Sequence, residues 1–327
     1  MKRVLVTGGA GYIGSHVCKL LSENGIEPVV YDSMEHGHEW AVQWGPLEQG
    51  ILHDQQRLLT VMQTYRPDAV LHFAAYIAVG ESVADPLKYY YNNVSGSISL
   101  IEAMTATGID KLVFSSTAAV YGMPEFTPIT EAHPLQPVNP YGHSKLMVER
   151  ALNDMAKTGK LNSVALRYFN AAGADASGLI GEAHDPETHL IPLVLEAASG
   201  LRKNITIYGD DYDTPDGTCI RDYIHVIDLA QAHLNALEYL AKGGQTGAFN
   251  LGNGSGFSVK EIIQSAERVT GLEIPVQMGT RRAGDPGVLI ADASAAREVL
   301  KWTPKYAELD KIVESAWVWL QKSVDEK

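Results

Sequence analysis

Tyr141 and Lys145 stand four residues apart in the run Tyr141-Gly-His-Ser-Lys145, the spacing that puts two side chains on one face of a helix. An ammonium beside a phenol favours the phenolate. Lys145 is therefore expected to draw the Tyr141 pKa down from ~10 towards the range in which a general base works. Alone, the pair says little, because Tyr and Lys meet at this spacing on many solvated helices. A glycine loop upstream changes its weight. Gly8-Gly-Ala-Gly11-Tyr-Ile-Gly14 lies between a strand pattern and a helix pattern, the context in which backbone N–H groups at a helix start bind a phosphate. In that reading Gly8 turns tightly, Gly11 lets the backbone approach a pyrophosphate, and Gly14 permits close helix–strand packing. The spacing is GxxGxxG rather than GxGxxG. Asp32 falls at the end of the second strand pattern, where a carboxylate binds ribose hydroxyls and repels a 2′-phosphate, so NAD is expected over NADP.

These residues need a frame. β-branched runs at 3–7, 28–31, 69–73, 112–115 and 162–167 alternate with helical patterns, which implies a doubly wound parallel sheet of Rossmann type. Asp85-Pro86 and Asn139-Pro140 each offer a helix N-cap followed by proline at the first helical position, so Tyr141 is expected at a helix start. Phe114-Ser115-Ser116-Thr117 closes the fourth strand, and ligands bind outside the carboxyl ends of such strands. The hydroxyls there could serve a substrate or merely satisfy the backbone of a strand end. Beyond about residue 175 the chain turns to glycine- and acid-rich loops around an apolar helical stretch at 190–198. The expected division is a nucleotide-binding domain over 1–175 and a smaller C-terminal α/β substrate lobe over 176–327. Parts of 222–270 are expected to return to the first domain.

Bulk properties narrow the function. The 26 basic residues are outnumbered by 39 acidic ones, a net charge of −13 that disfavours nucleic acid and anionic lipid as partners. Cys18 and Cys219 form no CxxC pair, which suits a reducing compartment. No apolar run approaches the ~20 residues of a membrane span, and the strand pattern starts at once, so a cytoplasmic location is expected. His36, His38, His184 and His189 lack the spacing of a zinc site and are expected to be solvated or hydrogen-bonded, with no metal. Tyr89-Tyr-Tyr91 reads as a packed helix face. Arg221 and Arg282 could grip phosphate oxygens with paired hydrogen bonds, or could form salt bridges with Asp222 and Asp285.

Together the motifs resemble the extended short-chain dehydrogenase/reductase family, and within it the nucleotide-sugar 4-epimerases, over nearly the whole chain. The resemblance rests on Val6-Thr-Gly-Gly-Ala-Gly-Tyr-Ile-Gly-Ser-His16, Val79-Gly-Glu-Ser-Val83, Tyr141-Gly-His-Ser-Lys-Leu-Met-Val-Glu149 and Leu166-Arg-Tyr-Phe-Asn170. It extends to Asp216-Gly-Thr218, Arg221-Asp-Tyr-Ile-His225 and Arg281-Arg-Ala-Gly-Asp285. It implies reversible interconversion of UDP-glucose and UDP-galactose through a transient 4-keto sugar, with NAD held throughout, and a homodimer. By the same resemblance Tyr141 is the base, Lys145 its modulator and a nicotinamide-ribose ligand, and Thr117 the hydroxyl that meets the sugar. Further cofactor contacts are implied for Tyr12, Ile13, Phe73, Ala74, Ala75, Asn92 and Phe169. Substrate contacts are implied for Asn170, His189, Leu190, Arg221, Tyr223, Arg282, Asp285 and Leu289. The chain departs from the pattern at Ile51, Ile77 and His189, where an aspartate, a lysine and an asparagine are usual. It has Leu289 where the family has either a tyrosine or a smaller residue, which suggests room for N-acetylhexosamine forms of the substrate. A 4,6-dehydratase would need acidic residues after Thr117, where Ala118 and Ala119 stand. A non-catalytic dinucleotide sensor would have no need of Tyr141, Lys145 and the arginines together.

Overall fold

A computed structural model describes residues 1–282 and 284–325; Ala283, inside the run from Arg281 to Asp285, lies outside the described residues. The chain opens with β1 (Arg3–Thr7), α1 (Tyr12–Glu23), β2 (Glu27–Asp32), β3 (Leu47–Gln49), α2 (Gln55–Tyr65) and β4 (Ala69–His72). Helices α3 (Val79–Ala84), α4 (Pro86–Tyr89) and α5 (Gly96–Thr107) lead to β5 (Lys111–Ser115), α6 (Pro140–Lys157) and β6 (Asn162–Tyr168). Then follow β7 (Asn170–Ala172), α7 (Leu190–Ala198), β8 (Ile205–Tyr208), β9 (Ile220–His225), α8 (Val226–Ala241) and β10 (Gly247–Leu251). The last elements are β11 (Gly256–Ser258), α9 (Val259–Thr270), β12 (Val276–Gly279), β13 (Val288–Leu289), α10 (Ser294–Val299) and α11 (Leu309–Asp325).

Alternation within the strands builds two apolar layers on one sheet. Val4 and Val6 of β1 face one side with Val30, Leu71, Val113 and Val164, where they meet residues of α1 and α8. Leu5 points the other way, joining Val29, Val70, Leu112, Phe114 and Ala165 beneath residues of α2, α5 and α6. Burial on both faces is why these strands read as continuous apolar runs. The seven strands are all parallel, in the order β10-β6-β5-β4-β1-β2-β3. The winding reverses between β1 and β4, which opens a crevice at their carboxyl ends. β3 is absent from the strands read in the sequence: three residues at the sheet edge are too few to show a period.

From the second half, β10 completes the large sheet beside β6, and α8 packs against α1. The remaining elements gather around a third apolar cluster containing Ile191 and Val194 of α7, Ile262 and Ile263 of α9, and Ile312 and Val313 of α11. There β9 runs between β11 and β13 and also pairs with β7; β12 pairs with β8. The expectation for Tyr89-Tyr-Tyr91 needs correction. Tyr89 is fully buried, but Tyr91 is 63% exposed, because a π-helical turn over Tyr90–Ser95 takes over from α4 and shifts the faces.

Candidate active site

Gly8 has a left-handed φ of +73°, and a Cβ there would lie 2.6 Å from the Ala74 nitrogen. A Cβ on Gly14 would come within 2.2 Å of the Gly8 carbonyl oxygen, so α1 can sit this close to the loop only with glycine at that place. Gly11 is the N-cap of α1 and supplies no capping side chain, which leaves the N–H groups of the first turn available to an anion. Asp32, buried at the end of β2, accepts N–H bonds from Ala10 (3.0 Å) and Met34 (2.9 Å), one on each carboxylate oxygen. Each oxygen keeps a lone pair for a hydroxyl. This loop, open helix end and half-engaged carboxylate fit a dinucleotide. Phe73 and Ala74, followed by Ala75, cross the end of β1 with their N–H groups on the Thr7 carbonyl. Ile13 is half-buried against the core, and the Tyr12 hydroxyl donates to the Gly173 carbonyl, so a cofactor contact from Tyr12 falls to its backbone. Asn92 lies on the π-helical turn beside Asn93, whose side chain ties Tyr76 to Ser144 of α6.

At the other side of the crevice, Asn139 caps α6 by accepting the Gly142 N–H at 2.8 Å, and Pro140 fixes the first turn that presents Tyr141. The Thr117 hydroxyl lies beside the Tyr141 phenol and accepts the Ala119 N–H at 3.1 Å. Burial pushes the Tyr141 pKa above its ordinary value, with the Thr117 hydroxyl acting in the opposite direction. Lys145 donates to the Ser115 carbonyl at 2.8 Å and sits 6.0 Å from the centre of the Tyr141 ring. Its pKa falls to about 7 because burial penalises the ammonium, although the Glu149 carboxylate partly restores it. The expected electrostatics are thereby corrected. Desolvation dominates both groups, and Thr117, not Lys145, is the neighbour that favours the phenolate.

The second lobe closes the site. Phe169, at the end of β6, and Leu289 of β13 both pack against the small cluster of Val120, Tyr121, Ile129 and Leu146, beside Ala118. Leu289 is in register with Arg221 of β9, and Asn170 donates to the Asp222 carbonyl at 3.0 Å. Arg221 pairs with Asp285, as one of the two readings of the arginines allows. Asp222 pairs with no arginine among the described residues: its carboxylate accepts N–H bonds from Asn253, Gly254 and Ala291, joining β9 to the chain on both sides of it. Arg282 lies 4.1 Å from the centre of the Tyr208 ring. Tyr223 is buried among the apolar residues of the third cluster. Ile51 and Ile77 are both exposed.

His189 is the N-cap of α7 and precedes Leu190, the first residue of that helix. Its Nδ1 hydrogen-bonds Glu182, and His184 lies 3.2 Å from the same carboxylate and 3.7 Å from Glu187. Burial alone would lower the His184 pKa, but Glu182 and then Glu187 raise it to about 10. The two histidines are thus ion-paired rather than solvated. The ligand-type atoms of all four residues lie within 4.8 Å of one another, a convergence that spacing alone did not reveal.

Two further residues of the site escaped the sequence reading. Glu149 and Arg167 form a buried ion pair at the foot of the Tyr141 helix. The available signal was Glu149 itself, a carboxylate on the same helical face as Tyr141 and Lys145.

Comparison with known proteins agrees with this geometry. The model of the NAD dependent epimerase/dehydratase family matches residues 4–252. A UDP-glucose 4-epimerase of Rhizobium leguminosarum bv. trifolii is 53% identical over 320 residues, 98% of this chain and 98% of that protein. The crystal structure of UDP-glucose 4-epimerase from Brucella ovis in complex with NAD superposes with a TM-score of 0.95 at 53% identity, covering 97% of this chain and 98% of the other. The UDP-Glc/GlcNAc 4-epimerase from Campylobacter jejuni gives a TM-score of 0.87 at 43% identity, over 98% and 100% of the two chains. With its seven-stranded parallel sheet, its glycine loop and a family match over three quarters of its length, the protein belongs to the NAD dependent epimerase/dehydratase family.

Proposed function

We propose that the protein interconverts UDP-glucose and UDP-galactose by inverting the sugar 4-carbon. The observation that carries this reading is Tyr141, presented by the Asn139-capped start of α6 beside Thr117 at the carboxyl edge of the sheet, next to a dinucleotide loop. Gly8, Gly11, Gly14 and Asp32 would hold NAD, which when bound takes up a hydride and, as a cation beside the phenol, favours the phenolate. Tyr141 then accepts the 4-hydroxyl proton, directly or through Thr117, whose oxygen is held by the Ala119 N–H. As the proton leaves the oxygen, the hydride leaves the same carbon, and a 4-keto sugar results. Arg221 and Arg282 grip the diphosphate, with His189, Leu190, Asn170, Tyr223 and Asp285 around it, so the sugar can turn about its phosphate linkage without escaping. The same hydride would return to the opposite face of the 4-carbon while Tyr141 gives its proton back to the 4-oxygen, which leaves the 4-epimer and the cofactor as it began. Ala118 and Ala119 supply no acid for eliminating water, which separates this reaction from dehydration.

The test is direct. Purified protein given UDP-galactose and no added cofactor should form UDP-glucose, and denaturation should release NAD. A holoprotein that forms no UDP-glucose would overturn the reading, as would NADP alone in the denatured extract.

Three finer features belong to the same proposal. Leu289 leaves more room than tyrosine would beside the sugar, so N-acetylhexosamine forms are accepted; the relative from Campylobacter jejuni carries both sugars in its name. The assembly is a homodimer, in keeping with Val83, Leu87 and Tyr91, which expose apolar side chains near α6, where Met147 is also exposed. A cytoplasmic location suits the unpaired thiols of Cys18 and Cys219; finding the protein in a secreted fraction would contradict it.

A further inference from the structure

We propose that Glu149 and Arg167 are a positioning pair that fixes Thr117 against the helix carrying Tyr141. The inference rests on the catalytic reading above and deepens it.

The Arg167 guanidinium donates to both oxygens of Glu149, from Nε at 3.0 Å and from Nη2 at 2.6 Å. Its Nη1 donates to the Tyr121 hydroxyl at 2.9 Å. The Glu149 carboxylate also accepts the hydroxyl of Ser116, the residue immediately before Thr117. Both charged side chains are almost wholly buried, at 6% and 4% exposure. Such a pair is weak evidence of stability, since apolar residues of the same volume often serve as well. Direction is what apolar residues cannot supply. On its inner side the pair joins α6, which bears Tyr141, to Ser116, which leads into Thr117; on its outer side it ends on Tyr121.

Glu149 is eight residues beyond Tyr141, which at ~1.5 Å per residue puts it ~12 Å along the helix and out of reach of a sugar. It acts through Ser116. Two side chains of α6 hold the end of the fifth strand: Lys145 on the Ser115 carbonyl and Glu149 on the Ser116 hydroxyl. Glu149 is held in turn by the Arg167 fork, so its bond to Ser116 keeps the Thr117 hydroxyl in place beside the Tyr141 phenol, and a shift of that hydroxyl by about 1 Å costs on the order of a hundredfold in rate.

Three holoenzyme variants test the proposal: Ser116→Ala, Glu149→Gln and, at the outer end of the pair, Tyr121→Phe. Wild-type turnover of UDP-galactose, measured alongside, tests the catalytic reading independently. Ser116→Ala removes one hydroxyl at little risk to folding. It should lower kcat by about tenfold or more, with KM for UDP-galactose within about twofold and bound NAD retained. Glu149→Gln, if it folds, should lose more. Tyr121→Phe should lower the melting temperature while leaving kcat within about twofold. Unchanged kcat in Ser116→Ala, beside an active wild type, overturns the proposal. So does an equal loss of kcat in Tyr121→Phe, because a general stabilising role would affect both ends alike.

Discussion

Replacing Tyr141 by Phe removes one oxygen and keeps the ring. In the protein that oxygen faces Thr117, and loss of solvation resists its ionisation. Two consequences can be sized separately. For stability, the lost contact with the Thr117 hydroxyl costs at most about 1 kcal/mol, offset by no longer desolvating a phenol, so the melting temperature should move by only a few degrees. For catalysis, a positioned base contributes about 10² to 10⁴ in rate, and the middle of that range corresponds to ~4 kcal/mol of barrier. The loss belongs in kcat, because in the proposed reaction Tyr141 contributes its proton transfer in the transition state, whereas the arginines proposed to hold the nucleotide would do so in ground and transition states alike. Purified Tyr141→Phe should therefore bind UDP-galactose with an affinity near that of the wild type, retain NAD, and turn over about a thousandfold more slowly. Chromatographic measurement of UDP-glucose, with NAD quantified after denaturation, reads both. A variant with full NAD content and near wild-type turnover would refute the assignment of Tyr141 as the base.

Lys145→Met should abolish most turnover and yet raise the melting temperature near pH 7. The native pKa of Lys145 is lowered to about 7, so between that pH and ~10.4 the unfolded chain binds a proton that the folded chain does not, and wild-type stability climbs with pH. The advantage of the methionine variant should accordingly shrink as pH rises, and thermal melts from pH 6 to 10 that show a constant difference would contradict this. Leu289→Tyr should remove most activity on UDP-N-acetylglucosamine and spare UDP-galactose, since it adds bulk next to Phe169 and Ala118; equal loss of both activities would exclude Leu289 as the gatekeeper. Leu87, 76% exposed at the start of α4, should matter for assembly. Leu87→Lys should shift the protein from dimer to monomer in light scattering, and a dimer unchanged in mass would move the interface elsewhere.

What the sequence revealed is what neighbours along the chain determine. Asn139 and Pro140 specify where α6 starts, the glycines from Gly8 to Gly14 specify a loop that admits backbone or ligand where other residues carry a Cβ, and the continuous apolar run within residues 3–7 specifies a strand buried on both faces. Each follows from residues within one turn or one strand of each other. The parts that stayed hidden depend on separations the sequence does not encode locally. Arg221 finds Asp285 across 64 residues because β9 and β13 pair over only two positions, too short a match to be seen as a period. Glu182, His184, Glu187 and His189 come together because the loop before α7 folds back on itself, not because their spacing belongs to any motif. β3 and the π-helical turn at Tyr90–Ser95 are similarly small departures in which tertiary packing overrides a periodic reading.

The largest disagreement concerned charge, and it has one physical origin. Position along α6 correctly brings Lys145 below Tyr141, but distance alone does not determine whether a lysine is charged. Enclosed by Phe114, the Ser115 carbonyl and the core, its ammonium loses solvation that a single carbonyl only partly replaces. Glu149 opposes that loss, and Arg167 meets both of its oxygens. The charge of Lys145 thus depends on a row of contacts that runs through Glu149 to Arg167 on β6, so neutralising Glu149 acts on Lys145. A helix face that looked like a pair of residues is a row of them, and the row lies where stability gains least from burying charge.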